Sequence, residues 1–289
     1  MLFCAASLHA DPSQIPHGTL DLVAENQWIA AGHGFSIGLF FQLEKGWHIY
    51  WINPGDSGEP PRVTWQLPSG LTASEIQWPT PRRLGSSSIV DYGYEGSVLL
   101  IVPMHATSSL VGSSARLAGE VKLLVCSDEM CLPGKTQLAL TLPVRSQTPA
   151  TDSRNANLFA AARKSMPRAA PANWKFSVAD TNDSFVLTAR LGRRVTRAVF
   201  FPLVESQIAN AAAQTLGSEN GGFRLTLRKS DQFSKPIERL KGVLVLPADG
   251  SHPEESYTID APVGKSAEAS QRRAARFISR INFPITIVL

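Results

Sequence analysis

The sequence has little charge, few cysteines and no long apolar run. Charged residues make up 18% of the 289 positions and hydrophobic residues 43%. That balance excludes a disordered or highly charged chain and leaves material for a sizeable core. No apolar stretch approaches the roughly 20 residues a membrane-spanning helix requires, so the sequence as it stands does not cross a bilayer. The formal net charge is +4, and the basic residues are scattered apart from Arg82-Arg83, Arg193-Arg194 and Arg272-Arg273. Without a basic stripe interleaved with aromatics, nucleic acid is not an expected partner. The six histidines, at 9, 17, 33, 48, 105 and 252, show no ligand spacing, so two neighbouring cysteines lack the further ligands of a zinc site.

What is present is punctuation. Pro (20) and Gly (21) are spread between short apolar runs, which points to many turns and to β structure. Phe35, Ile37, Leu39, Phe41 and Leu43 alternate with more polar or small residues, as do Val63, Trp65 and Leu67. Trp47, Ile49 and Trp51 alternate with His48 and Tyr50; core is the expected place for His48, Tyr50 and Trp51, with the border of a functional site as the alternative. Val98 to Val102 is continuously apolar, as in a central strand. The loop Asn53-Pro-Gly-Asp-Ser-Gly58 is a turn, with Asp56 a turn former. The expected fold class is all-β: two immunoglobulin-like antiparallel β-sandwich domains joined by a short helical linker.

The expected boundaries are these. Residues 1–10, with Cys4, read as the remainder of a secretory signal peptide whose start has been trimmed, so that Cys4 is lost on export; a plain apolar N-terminus is the alternative. Residues 11–147 form the first sandwich and carry the cysteine pair. Residues 148–173 are a linker in which Asn155 to Met166 makes a short helix closed by Pro167. Residues 174–265 form a second, smaller sandwich. Within it, Gln207 to Leu216 is ambiguous, since Ile208, Ala211, Ala212 and Leu216 have helical spacing. Residues 266–289 are a tail of unassigned structure.

The mature chain then holds one pair, Cys126-Ser-Asp-Glu-Met-Cys131, in an oxidising compartment. Upstream, period two places Cys126 on one strand face with Glu120 and Lys122, which argues for solvent access. Pro133-Gly134 is a turn signal, and Thr136 to Leu142 alternates as a second strand, so the cysteines sit at the mouth of a hairpin. Three readings stay open. A structural bridge, in a non-catalytic β-sandwich module that binds a partner through its loops and edges, closes about six residues and contributes only ~2 kcal/mol in the chain-entropy model, against nearly 5 for ~100 residues. A redox pair across a turn opens without unfolding the domain. A Cu(I) site is conceivable from the soft sulfurs of Cys126, Met130 and Cys131. Asp128 and Glu129, between the sulfurs, disfavour a thiolate and would protect a free dithiol until a partner docks.

Longer blocks carry more. Trp47-His-Ile-Tyr-Trp-Ile-Asn-Pro-Gly-Asp-Ser-Gly58, followed by Pro60-Pro-Arg-Val-Thr-Trp65 and Leu67-Pro68, resembles the N-terminal periplasmic domain of the DsbD thiol:disulfide interchange family, and most closely its suppressor-of-copper-sensitivity (ScsB) branch. Gln77-Trp-Pro79, Asp91-Tyr-Gly-Tyr-Glu-Gly96, Leu124-Val-Cys126 and Cys131-Leu-Pro-Gly134 support it. So do Ala198-Val-Phe-Phe-Pro202 and Leu240-Lys-Gly-Val-Leu-Val245 in the second half. The resemblance implies that Cys126 and Cys131 cycle between dithiol and disulfide, with Cys131 attacking and Cys126 resolving a mixed disulfide. It implies periplasmic thioredoxin-fold proteins as partners, a membrane electron-relay domain or protein as the source of reductant, and no metal or organic cofactor. It also implies a loop whose aromatic caps the disulfide, for which Asp91, Tyr92 and Tyr94 are the candidates; the alternative is that Tyr92 and Tyr94 are ordinary strand aromatics and Asp91 a turn residue. No Cys-x-x-Cys occurs in the sequence, so the reductant has to come from another domain or protein.

Overall fold

A computed structural model describes residues 12–85, 88–250 and 252–265. The signal-like segment, Cys4 and the C-terminal tail lie outside the described residues. Two compact units divide between Pro167 and Arg168. Both are built almost wholly of strands, so the all-β expectation holds.

The first unit contains β1 (Ser13–Ile15), β2 (Gly18–Ala24), β3 (Ile29–Ala30), β4 (Gly34–Leu43), β5 (His48–Gly55), β6 (Arg62–Gln66), β7 (Leu71–Ala73), β8 (Arg82–Leu84), β9 (Asp91–Glu95), β10 (Ser97–Ala106), β11 (Ser114–Cys126) and β12 (Cys131–Arg145). Among the described residues they form a five-stranded sheet, β1-β2-β4-β10-β7, and a seven-stranded sheet, β3-β12-β11-β5-β9-β8 with β6 also on β11. Period-two alternation explains the burial. Ile37, Leu39 and Phe41 are fully buried along β4, as are Leu117, Val121 and Val125 along β11.

The apolar run of β10 is buried on both faces. Leu100 and Val102 point into the unit, while Leu99 and Ile101 lie under helix α1 (Ala156–Ser165), packed with Phe159 and Ala162. Asn155 donates from Nδ2 to Ala24 O at 2.8 Å, and Arg163 pairs with Glu25, which ties both ends of the helix to the first unit.

The second unit contains β13 (Arg168–Ala169), β14 (Lys175–Asp180), β15 (Ser184–Arg190), β16 (Val199–Pro202), β17 (Thr215–Glu219), β18 (Gly222–Arg228), β19 (Arg239–Leu246) and β20 (Glu255–Lys265). β20 pairs antiparallel with β19 through Pro262 and then parallel with β14 from Val263, so one strand links the two halves of an eight-stranded sheet. Phe185, Leu187, Phe200, Phe223, Leu225, Leu240 and Leu244 fill its core. The helical option for Gln207 to Leu216 is not realised. Ile208 bridges Lys229, and Leu216 enters β17.

The cysteine hairpin differs from expectation in one respect. The reversal occurs at Ser127–Met130, and Pro133 and Gly134 lie inside β12, paired with Leu124 and Leu123. β12 has β11 on one side and only the two residues of β3 on the other. A proline is tolerated there because an edge strand has a side that need not donate.

Candidate functional site

Cys126 and Cys131 end the two strands of one hairpin and are direct cross-strand partners, Cα to Cα 4.1 Å, joined by a disulfide. The connection is tight. Ser127 N–H donates to Met130 O at 2.9 Å, and Ser127 Oγ accepts from the amides of Glu129 (3.2 Å) and Met130 (3.3 Å). This serine turn leaves Asp128 and Glu129 exposed at the tip and Met130 about half exposed.

The two sulfurs are not equivalent. Cys131 is exposed, whereas Cys126 is 1% exposed. The solvent access inferred for Cys126 from its face is therefore corrected. Glu120 and Lys122 do share that face, but at the end of β11 the neighbouring strand is β5, and His48 pairs directly with Cys126. Period two identifies a face; it does not reveal what covers the last residue on it.

What covers it is the His48–Tyr50 side of β5. His48 is Cα partner to Cys126 on one side and Glu95 on the other, and Tyr50 is partner to Gly93. Directly paired residues share a face, so His48 and Tyr50 lie on the disulfide side and Ile49 and Trp51 on the other. The Tyr50 hydroxyl donates to Cys131 Sγ at 3.6 Å, the disulfide sulfur having no proton to give. His48 and Tyr50 are buried as expected of core residues, at 4% and 0% exposed, and they also border the site. The signal lay in the period-two placement of His48 and Tyr50 on one face of β5.

Asp91 lies on the same side. Ser57 donates to Asp91 Oδ1 from its amide (3.0 Å) and from Oγ (2.9 Å), with Asp91 Oδ2 also 3.0 Å from that hydroxyl. His48 Nε2 is 3.7 Å from Asp91 Oδ2. Burial raises the Tyr50 phenol above its ordinary value; the Ser57 hydrogen bond opposes this, and the Asp91 carboxylate adds to it. Tyr50 thus stays a protonated donor facing sulfur. Ser57 was not anticipated, because a serine in a turn carries no distinctive sequence signal.

The loop that holds these groups depends on two glycines. Gly58 has φ +79°, and a Cβ on it would fall 2.0 Å from Tyr50 Cζ. Gly55 has φ +96°, and its Cβ would meet Val90 O at 2.4 Å. Asp56 completes the seam, accepting Val90 N–H at 2.8 Å and donating its own amide to Val90 O at 3.0 Å.

Of the three anticipated cap candidates, Asp91 is brought to the site and the tyrosines are not on its face. Tyr94 pairs with Ile49, so it and Tyr92 point the opposite way from His48 and Glu95. Tyr92 is fully buried edge-on to Trp51, and Tyr94 donates to Pro79 O at 2.7 Å. Burial raises both phenols above the ordinary range. The aromatic lying against the cysteines is Tyr50.

Chemically, the site offers one accessible sulfur bonded to one buried sulfur. A thiolate approaching Cys131 from solvent meets a leaving group, Cys126, on the far side. Among the described residues there is no group of three or more His, Cys, Asp or Glu that could hold a metal ion, and no helix is long and apolar enough to cross a membrane.

Residues 20–143 match the family described as thiol:disulfide interchange protein DsbD, N-terminal. The crystal structure of the N-terminal periplasmic domain of ScsB from Proteus mirabilis is similar over 90% of this chain and 100% of its own, with a TM-score of 0.66 and 17% identity. At that identity it establishes a shared fold. A structure of the titin domains z1z2 in complex with telethonin matches at a TM-score of only 0.19 and 10% identity, too low to inform the fold. No curated protein matches the chain.

Proposed function

The first unit of this chain is an N-terminal domain of the DsbD thiol:disulfide interchange family, and from that premise we propose that it is a periplasmic exchange module passing reducing equivalents to partner proteins through Cys126 and Cys131. The observation that carries the reading is the asymmetry of the pair: Cys131 exposed under the Tyr50 hydroxyl, Cys126 sealed behind it.

In the dithiol state, Cys131 thiolate attacks one sulfur of a partner's disulfide. The partner's other sulfur leaves and takes up a proton, and a mixed disulfide joins Cys131 to the partner. Cys126, deprotonated, then attacks Cys131 Sγ and releases the partner's second thiol. Two electrons have moved from the module to the partner, and the Cys126–Cys131 bond has re-formed. Recharging runs in reverse: a donor thiolate attacks exposed Cys131, and Cys126 leaves as thiolate. No metal or organic cofactor enters. The partner is a protein of thioredoxin fold, and the donor a membrane electron relay.

Hydrogen bonding from Tyr50 assists by stabilising negative charge on Cys131 during attack. The Ser57–Asp91 pair positions Tyr50 from behind. A Cys126→Ser variant tests the assignment. It keeps the attacking sulfur and removes the resolving one, so it accumulates a mixed disulfide with a thioredoxin-fold disulfide protein. Cys131→Ser, left with only the buried sulfur, accumulates none. Equal trapping by both variants would overturn the assignment of roles.

A further inference from the structure

Starting at Leu124 and Pro133, two residues along the hairpin from the disulfide, lies a groove of about 520 Å³ between the β5–β6 connection and the hairpin. The register orders its contents. On the disulfide face of the hairpin, Cys126–Cys131 is followed by Leu124–Pro133 and then by Lys122–Lys135, and Lys122 is also directly opposite Arg62 on β6. Successive pairs on one face are two residues apart, so the cation row lies about 13 Å from the disulfide with an apolar pair between them. Lys122 and Lys135 are 67% and 63% exposed. Glu120, which both approach (3.9 and 3.0 Å), is only 22% exposed and sits below them. Glu59 is the one exposed carboxylate among the groove residues, at its rim. At the other end of the disulfide are exposed Asp128 and Glu129. The hairpin therefore presents acid, disulfide, apolar pair and base in that order along its length.

Resting on the exchange reading above, we infer that this groove is the docking track for an extended segment of the partner flanking its reacting cysteine, with apolar residues next to that cysteine and carboxylates about four residues away. Four extended residues span the ~13 Å from sulfur to cation row. An acidic flank is attracted at one end and repelled by Asp128 and Glu129 at the other, so the charge pattern selects a direction of docking as well as a partner.

The probes are synthetic peptides with one cysteine in mixed disulfide with a chromogenic aryl thiol. They carry two glutamates, two lysines or two glutamines four residues from the cysteine on either side, with Leu-Pro between. Reduced full-length protein converts each to free peptide thiol and coloured aryl thiolate while its own cysteines oxidise. At low ionic strength a glutamate peptide of one polarity should react about fivefold faster than its lysine counterpart, and the difference should collapse in high salt. In a Lys122→Glu, Lys135→Glu double variant the order should invert. That ratio is taken within one protein preparation, so partial unfolding cannot produce it. Equal rates for all charged peptides, or an order unchanged in the double variant, overturn the docking track while glutamine-peptide exchange leaves the redox reading standing. Absence of exchange with every peptide overturns both.

Discussion

Replacing Tyr50 by Phe keeps the ring that fills the space over Gly58 and removes only the hydroxyl that donates to Cys131 at 3.6 Å. In the oxidised protein that hydrogen bond ends on a neutral sulfur, so the loss to stability is about 1 kcal/mol. In the reduced protein the acceptor is a thiolate, and hydrogen bonds to charged groups contribute roughly 1.5–3 kcal/mol. Taking the lower figure, the thiolate fraction at a fixed pH below its titration falls about tenfold. A more basic thiolate is also a better nucleophile; with a Brønsted coefficient of about 0.4–0.5, each remaining thiolate reacts about threefold faster. The net expectation is attack on a small disulfide slowed by about threefold, with the thiolate absorbance shifted to higher pH. Stopped-flow exchange of the reduced protein, with the thiolate's ultraviolet absorbance followed against pH, measures both. A Tyr50→Phe protein with an unchanged thiolate titration and an equal or faster exchange rate would refute the role given to the hydroxyl.

Gly58→Ala should lower stability by about 2–4 kcal/mol in urea unfolding, combining a left-handed backbone with overpacking against the Tyr50 ring. All four tyrosines, Tyr50, Tyr92, Tyr94 and Tyr257, have phenols raised above 10.0, burial being the largest cause in each. Folded-state values above the unfolded one give stability that is complete below pH 10 and lost as pH rises through them; tyrosinate absorbance should therefore lag at pH 10 and jump with unfolding. Glu255 is desolvated, but hydrogen bonds from Arg193 and Tyr257 and the charges of Arg193 and Arg168 hold its carboxyl below 4.5. Its contribution is present above that pH and lost as pH falls through the folded value, so Glu255→Gln should destabilise the second unit at neutral pH and lose that deficit in acid, as followed by thermal melts.

Much of this was legible in the sequence because strands write themselves with period two. β4, β11 and the outer part of β12 follow their apolar rows, and the long block from Trp47 to Gly58 pointed to the family. The errors share a cause, which is that a linear pattern carries no information about neighbours. Pro133-Gly134 reads as a turn unless one knows that β12 is an edge. Cys126 reads as exposed unless one knows that β5 begins beside it. Tyr92 and Tyr94 attract attention as aromatics near an aspartate, yet the pairing of Tyr94 with Ile49 turns them away from the sulfurs. Tyr50, which does lie against Cys131, is expected first as core, because a buried tyrosine in a strand is ordinarily just that, and bordering the site is only the second option.

The equilibrium between the Cys126–Cys131 disulfide and a glutathione redox buffer tests the central claim most directly. A reversible exchange pair predicts a midpoint on the order of −120 to −230 mV, within the range of known exchange proteins. A midpoint below about −300 mV would mark a bridge that stays closed, and the electron-transfer account would be contradicted.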